Sequence, residues 1–284
     1  MDKTLNDILD ELKPYVGFTD TNVGEMLVYK HDTIVSSALA LYGEYTYSES
    51  EVLAKWLTPT STHLDIGTNT GYHALAINKI VGCNVLAFEP QKNHFAVAAY
   101  NTQNKTIKVH NCAVGKTEGT IHITDFDPNV VENYGIMQVS SDDNGTEVPM
   151  ITVDSLNLES CSSMKIDVEG YEFDVLEGAN NTIDKFRPII QYEATEFSKD
   201  DETWRKCHAF LEAKDYKQYW IVSKVKPSGE NYKKSDLNPY ENLVVANILA
   251  IPTEIGQPDF LAPATRDENW EQFYHRIIKY KLVF

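Results

Sequence analysis

No stretch of the 284-residue chain approaches the ~18 consecutive apolar residues that a membrane-spanning helix requires. Residues 1–13 are charged and helix-patterned, without the apolar core of a signal peptide. Cysteine is scarce: Cys83, Cys112, Cys161 and Cys207 form no CxxC pair and no Cys/His cluster at zinc spacing. They read as small buried hydrophobes in a reducing compartment, so a soluble, cytoplasmic protein is expected. Basic residues are outnumbered, 25 Lys and Arg against 42 Asp and Glu, which leaves a net charge of -17. Such a polyanion is repelled by a phosphate backbone, and no nucleic-acid partner is expected. Neither GxGxxG nor GxxxxGK[ST] occurs, so the usual dinucleotide and phosphate-cradling loops are missing.

What is present is a core-forming chain, 42% hydrophobic, that needs no covalent staples. Leu5, Ile8, Leu9 and Leu12 fall at helical spacing and Pro14 ends the pattern. A polar stretch, a strand-like piece at 26–29 and two helical pieces over 33–57 complete an N-terminal cover, residues 1–58. After Pro59 strands and helices alternate, with strands at 63–66, 84–89 and 107–113 and helices at 71–80 and 92–101. This rhythm predicts a doubly wound α/β sheet over 59–284, with ligands at the carboxyl ends of its strands. Residues 115–150 break the rhythm and read as a hairpin-like insertion with a strand at 120–124. Strands follow at 164–167, 189–193, 218–222 and 243–251. Helices are expected at 172–179, 201–214 and, at the end of the chain, 267–280.

The first strand runs into Asp65-Ile66-Gly67-Thr68-Asn69-Thr70-Gly71, a DxGxNxG loop. Glycine permits the sharp turn and close approach of a ligand to backbone amides. An acid entering the loop suits a ligand that carries an ammonium group rather than a bare pyrophosphate. The second strand ends Phe88-Glu89-Pro90, which puts a carboxylate about 20 residues beyond the loop, the offset at which an acid meets ribose hydroxyls. The stretch Lys165-Ile166-Asp167-Val168-Glu169 then gathers a lysine and two acids at a strand's carboxyl end. Asp167 and Glu169 suit a general base, a metal ligand or a cofactor anchor, and the residues alone do not choose among these.

These motifs together resemble the FkbM family of methyltransferases. The resemblance runs in order through Leu64–Gly71, Phe88–Pro90, Thr152–Leu156, Lys165–Glu172, Val175–Ala179 and Pro188–Glu193, with Thr68 where alanine is more usual. It implies a class I methyltransferase fold, Rossmann-like, with a mixed seven-stranded sheet beneath an N-terminal helical cover. It also implies S-adenosylmethionine as cofactor and O-methylation of a sugar, glycan or natural-product hydroxyl. Asp65, Gly67, Thr68, Asn69, Gly71, Glu89 and Pro90 become cofactor contacts, Asp167 joins them as a possible anchor, and Asn111, Cys112 and Ala113 lie near the adenine.

Methyl transfer to a hydroxyl needs a group that removes a proton as the oxygen becomes nucleophilic. Asp167 and Glu169 are the first candidates, acting directly or through a divalent cation, and His73 in the following helix is the next. Tyr45 and Tyr47, from an aromatic patch that also holds Tyr42, are candidate acceptor contacts with Lys165 and Glu193. Two other readings stand beside this one: a nicotinamide-dependent oxidoreductase on the same sheet, and a methyltransferase-like binding module without turnover.

Overall fold

The computed structural model describes residues 4–103, 105–136, 138–139, 145–194, 202–241, 243–268 and 272–273. The cover opens with helix α1 (Leu5–Leu12), whose first turn is closed by a capping box between Thr4 and Asp7. Its apolar stripe buries Ile8 and Leu12. The polar stretch that follows is a hairpin of β1 (Val16–Thr21) and β2 (Gly24–Tyr29). The cover is therefore helical only in part; Thr21 and Gly24 close a turn that composition alone conceals. Helix α2 (Val35–Tyr42) stops at Gly43, whose φ of 74° suits a left-handed C-cap, and α3 (Tyr47–Ala54) follows.

Strand β3 (Thr62–Ile66) begins the main sheet, followed by α4 (Tyr72–Val81), β4 (Asn84–Phe88), α5 (Lys92–Asn101) and β5 (Ile107–His110). The expected insertion is a small sheet of its own, built from β6 (Ala113–Val114), β7 (Gly119–Thr124), β8 (Gln138–Val139) and β9 (Thr146–Ile151). Then come β10 (Ser163–Ile166), α6 (Glu172–Gly178), α7 (Asn180–Phe186), β11 (Ile189–Glu193), α8 (Thr203–Glu212), β12 (Tyr216–Lys224), β13 (Val244–Pro252) and the two-residue β14 (Ala262–Pro263). The sheet order is β14-β12-β13-β11-β10-β3-β4-β5. Strands β5, β4, β3, β10 and β11 are parallel, and β13 enters antiparallel between β11 and β12. Seven strands form the expected mixed sheet, and β14 adds a short eighth at its edge. The strand order turns back between β3 and β10, and this places the ligand crevice at their carboxyl ends. The terminal helix expected over 267–280 lies almost wholly outside the described residues.

One face of the sheet is packed by α6, α7 and α8 around Leu64, Ile66, Met164, Ile166, Ile190, Tyr192 and Trp220. On the other face, α3 and α4 pack over Val85, Ala87, Ile189 and Leu249, while α1 and the hairpin overlie α5. Among the described residues, no helix is long and apolar enough to cross a membrane.

Candidate active site

The loop from β3 to α4 is held open by three left-handed residues, Gly67 (φ 84°), Asn69 (φ 53°) and Gly71 (φ 85°). A Cβ at Gly67 would overlap the Asp167 carbonyl oxygen, so only glycine lets the loop cross the end of β10. Asp65 is fully buried at the root of the loop and accepts the Thr68 hydroxyl at 2.5 Å. Glu89, at the end of β4, accepts the amide N–H of Asn69 through Oε2 and that of Gln91 through Oε1, each at 2.9 Å. Burial pushes its carboxyl up to about 8. The Asn111 side chain donates to the carbonyls of Glu89 and Pro90 and fixes the far side of that turn.

A cavity of about 340 Å³ opens over this loop. Gly67, Thr68, Asn69, Glu89 and Pro90 form one wall; Lys165, Asp167, Glu169 and Glu193, at the ends of β10 and β11, form another. His73 and Tyr45 also line it. A second, apolar pocket of about 200 Å³ adjoins it at Gly67, Pro90 and Val168 and is lined by Phe88, Cys112, Ala113 and Met150. Most of the expected site residues are thus brought together. Asp65, Gly71 and Asn111 are not on either wall; they shape the walls from behind. Tyr47 is a correction, because its side chain packs against the apolar cluster around Met26, Leu39 and Leu75 instead of reaching the cavity. Tyr42 is likewise core, packed on Tyr240.

Five carboxylates line the cavity, Glu49, Glu89, Asp167, Glu169 and Glu193, against one ammonium, Lys165. That ammonium is held by Asp167 Oδ2 at 2.8 Å. Glu169 has a left-handed backbone (φ 54°) ahead of Gly170, which turns it back over the end of β10. Burial, then the charges of Asp167 and Glu172, push its carboxyl upward. Asp167, Glu169 and Glu193 each place an oxygen within 4.8 Å of the other two, a set that a hard divalent cation accepts. His73 is pushed well below the usual histidine range, first by burial and then by Lys165, so its imidazole is neutral.

Sequence reasoning missed Glu49. It descends from α3, is 2% exposed, and accepts from Gln191 Nε2 at 2.9 Å and Asn247 Nδ2 at 2.8 Å. Burial raises its carboxyl to about 7. No local signal marks it, because a glutamate on a short helix reads as solvated. Asn133, Gly135 and Ile136 of the insertion were also missed, although they complete the cavity's outer wall.

A family model described as the methyltransferase FkbM domain matches residues 65–218. The chain is 27% identical over 185 residues to a hexuronic acid methyltransferase from Haloferax volcanii, a match that covers 64% of this chain and 68% of the relative. It superposes on a methyltransferase FkbM from Methylobacillus flagellatus with a TM-score of 0.45 at 15% identity, over 68% of this chain but only 44% of that protein. It also matches an O-methyltransferase from Bacillus cereus in complex with SAH, with a TM-score of 0.44 at 14% identity, over 89% of this chain and 91% of that one.

Proposed function

This chain belongs to the FkbM methyltransferase family, and we propose that it transfers a methyl group from S-adenosylmethionine to a hydroxyl of a sugar or other small glycan. The observation that carries the reading is the pairing of two adjoining compartments. One is an apolar pocket walled by Phe88, Cys112 and Met150, and the other is a polar cavity that ends in acids. A purine fits the first, and the Glu89 carboxylate, in the polar cavity next to the shared Pro90, suits a ribose diol. The glycine-crossed loop, which brings Thr68 and Asn69 onto the cavity wall, suits the charged amino-acid end. The residues present therefore fit the cofactor. When bound, it supplies a methyl group already activated by a sulfonium.

The chain's own part is to orient the acceptor and take its proton. Asp167 and Glu169 stand at the carboxyl end of the central strand, where an acceptor oxygen in the cavity meets them. Lys165 fixes Asp167 Oδ2 and leaves its other oxygen for the acceptor. Tyr45 and Glu193 face the same space and contribute acceptor contacts. The relative from Haloferax volcanii, named for a hexuronic acid, supports a sugar acceptor. The acidic lining and the overall charge favour such a small acceptor over nucleic acid.

Calorimetric titration with S-adenosylmethionine, followed by methyl-transfer assays on a panel of sugar hydroxyls, tests the reading. Saturable cofactor binding with transfer to a glycan supports it. Binding of NADH in place of S-adenosylmethionine, or binding without transfer to any acceptor, overturns it in favour of an oxidoreductase or a module without turnover. Turnover that persists in EDTA assigns the proton to the carboxylates alone; turnover lost in EDTA and restored by Mg²⁺ routes it through a divalent cation on Asp167, Glu169 and Glu193.

A further inference from the structure

Beside the cavity, β3 and α4 assemble a second group of donors to which the proposed transfer assigns no role. His63 and Asp65 alternate with Leu64 and so leave β3 on the same side, facing His73 at the start of α4. A donor atom of each lies within 4.8 Å of a donor atom of the other two, and the imidazole centroids are 5.4 Å apart. His63 and Asp65 are 0% exposed.

Each side chain is held through one of its two polar atoms by a hydroxyl. His63 Nδ1 meets Ser163 Oγ at 2.7 Å, His73 Nδ1 meets Ser50 Oγ at 3.0 Å, and Asp65 Oδ2 accepts from Thr68 Oγ1 at 2.5 Å. The other atom of each, His63 Nε2, His73 Nε2 and Asp65 Oδ1, is buried and has no hydrogen-bond partner. Three buried polar atoms left over in one place, on side chains whose orientation is already fixed, describe a prepared ligand set.

We propose that His63, Asp65 and His73 bind a divalent transition-metal ion, with Zn²⁺ the best match. Two imidazole nitrogens and one carboxylate oxygen form the borderline N/O set that Zn²⁺ takes in three-ligand sites. Burial keeps both imidazoles neutral, the form that ligates. The Ser163, Ser50 and Thr68 hydroxyls do the orienting work of outer-shell partners. The neighbouring Lys165 ammonium opposes a cation here, but Asp167 holds it at 2.8 Å. His73 lines the cavity, so an ion reaches the site without unfolding the chain. Bound there, the metal ties β3 to α4 across the root of the DxGxNxG loop, whatever the acceptor proves to be.

The test uses the full chain stripped with EDTA and titrated with Co²⁺, which reports its ligands by visible absorption, and with Zn²⁺ by calorimetry. One ion per chain is expected, with visible bands of N/O coordination and no thiolate charge-transfer band, since the donor cluster contains no cysteine. His63→Gln and His73→Asn should each abolish the site. Ser163→Ala should weaken it about tenfold. S-adenosylmethionine binding, measured on every variant, separates loss of the metal site from loss of fold. Stripped protein that binds S-adenosylmethionine but shows neither Co²⁺ bands nor saturable Zn²⁺ binding overturns the proposal. Metal binding that survives both histidine substitutions overturns it as well.

Discussion

Strand β10 meets two environments within four residues. Met164 and Ile166 turn toward α6–α8 and join a face that is apolar across the sheet, with Leu64, Ile66, Ile190, Tyr192 and Trp220 all at or below 2% exposed. Ser163 and Lys165 turn toward α3 and α4, where they meet His63, Asp65, Gln191, Asn247 and Glu49, nearly as well buried but polar. A pleated strand makes both faces inevitable, but not their difference. Burying apolar surface contributes roughly 25 cal/mol per Å² wherever it occurs, whereas a buried polar group gains nothing unless partnered. The polar seam includes Glu49 Oε1, Gln191 Oε1, His63 Nε2 and Asp65 Oδ1 without partners, a cost that folding alone does not explain. Along β10, one side belongs to the core that holds the fold, and the other is shaped for what it binds.

The largest effect is expected at the seam's outer end. Asp167→Asn should lower kcat by about 10²- to 10⁴-fold, the usual worth of a positioned general base. S-adenosylmethionine affinity and melting temperature should stay near wild type. If calorimetry shows that cofactor binding is lost instead, Asp167 is an anchor and the acceptor's proton goes to Glu169. The opposite face should answer in the other currency. Ile190→Ala removes a fully buried side chain and should cost about 2–5 kcal/mol in denaturant unfolding, while turnover per folded molecule is unchanged. A neighbouring change across the strand, Gln191→Leu, takes an amide donor from Glu49 and should cost about 1–3 kcal/mol. If it stabilises the chain, the seam's hydrogen bonds are not what holds α3 down. Glu89→Gln should weaken S-adenosylmethionine binding roughly 10- to 100-fold, in line with the ~1.5–3 kcal/mol of hydrogen bonds to a charged group. An unchanged affinity would detach Glu89 from the ribose.

Much of the apolar face was legible in the sequence, because strand–helix alternation and short apolar runs are local signals. The DxGxNxG loop and Glu89 were legible for the same reason: one strand, one turn and one helix hold them. What escaped depends on partners far along the chain. Glu49 meets Gln191 and Asn247, 142 and 198 residues away, and nothing around it in sequence announces burial. The insertion gave one strand at 120–124, but its closure into a four-stranded sheet rests on β9 pairing parallel with β6 and antiparallel with β7. Helix α7 has only Ile183 and Phe186 as large apolar anchors, too few to show a period. His63 passed as a strand residue because its neighbour His73 comes from the next helix.

The smallest expected effect, and the one that reads both faces together, is the response to pH. Burial raises Glu49 and Glu172 to about 7 and Glu89 to about 8, from an ordinary value of 4.5. A carboxyl whose pKa is higher in the folded chain contributes stability that is present below 4.5 and lost as pH climbs through the folded value. Burial lowers His63 to about 3 and His73 in the same direction, so their contribution is lost only as pH falls below 6.5. Between about pH 6.5 and 8 the histidines are neutral in both states and these three carboxyls set the slope. The melting temperature of the cofactor-free protein should therefore fall across that window. S-adenosylmethionine affinity should rise over the same window, because the ribose hydroxyls donate to an ionised Glu89. Glu89→Gln should flatten the affinity profile and part of the melting profile, while Ile190→Ala lowers the melting curve without changing its slope. A cofactor affinity that is flat with pH in the wild type would mean that Glu89 is already ionised in the folded chain, and that the seam is better hydrated than its burial implies.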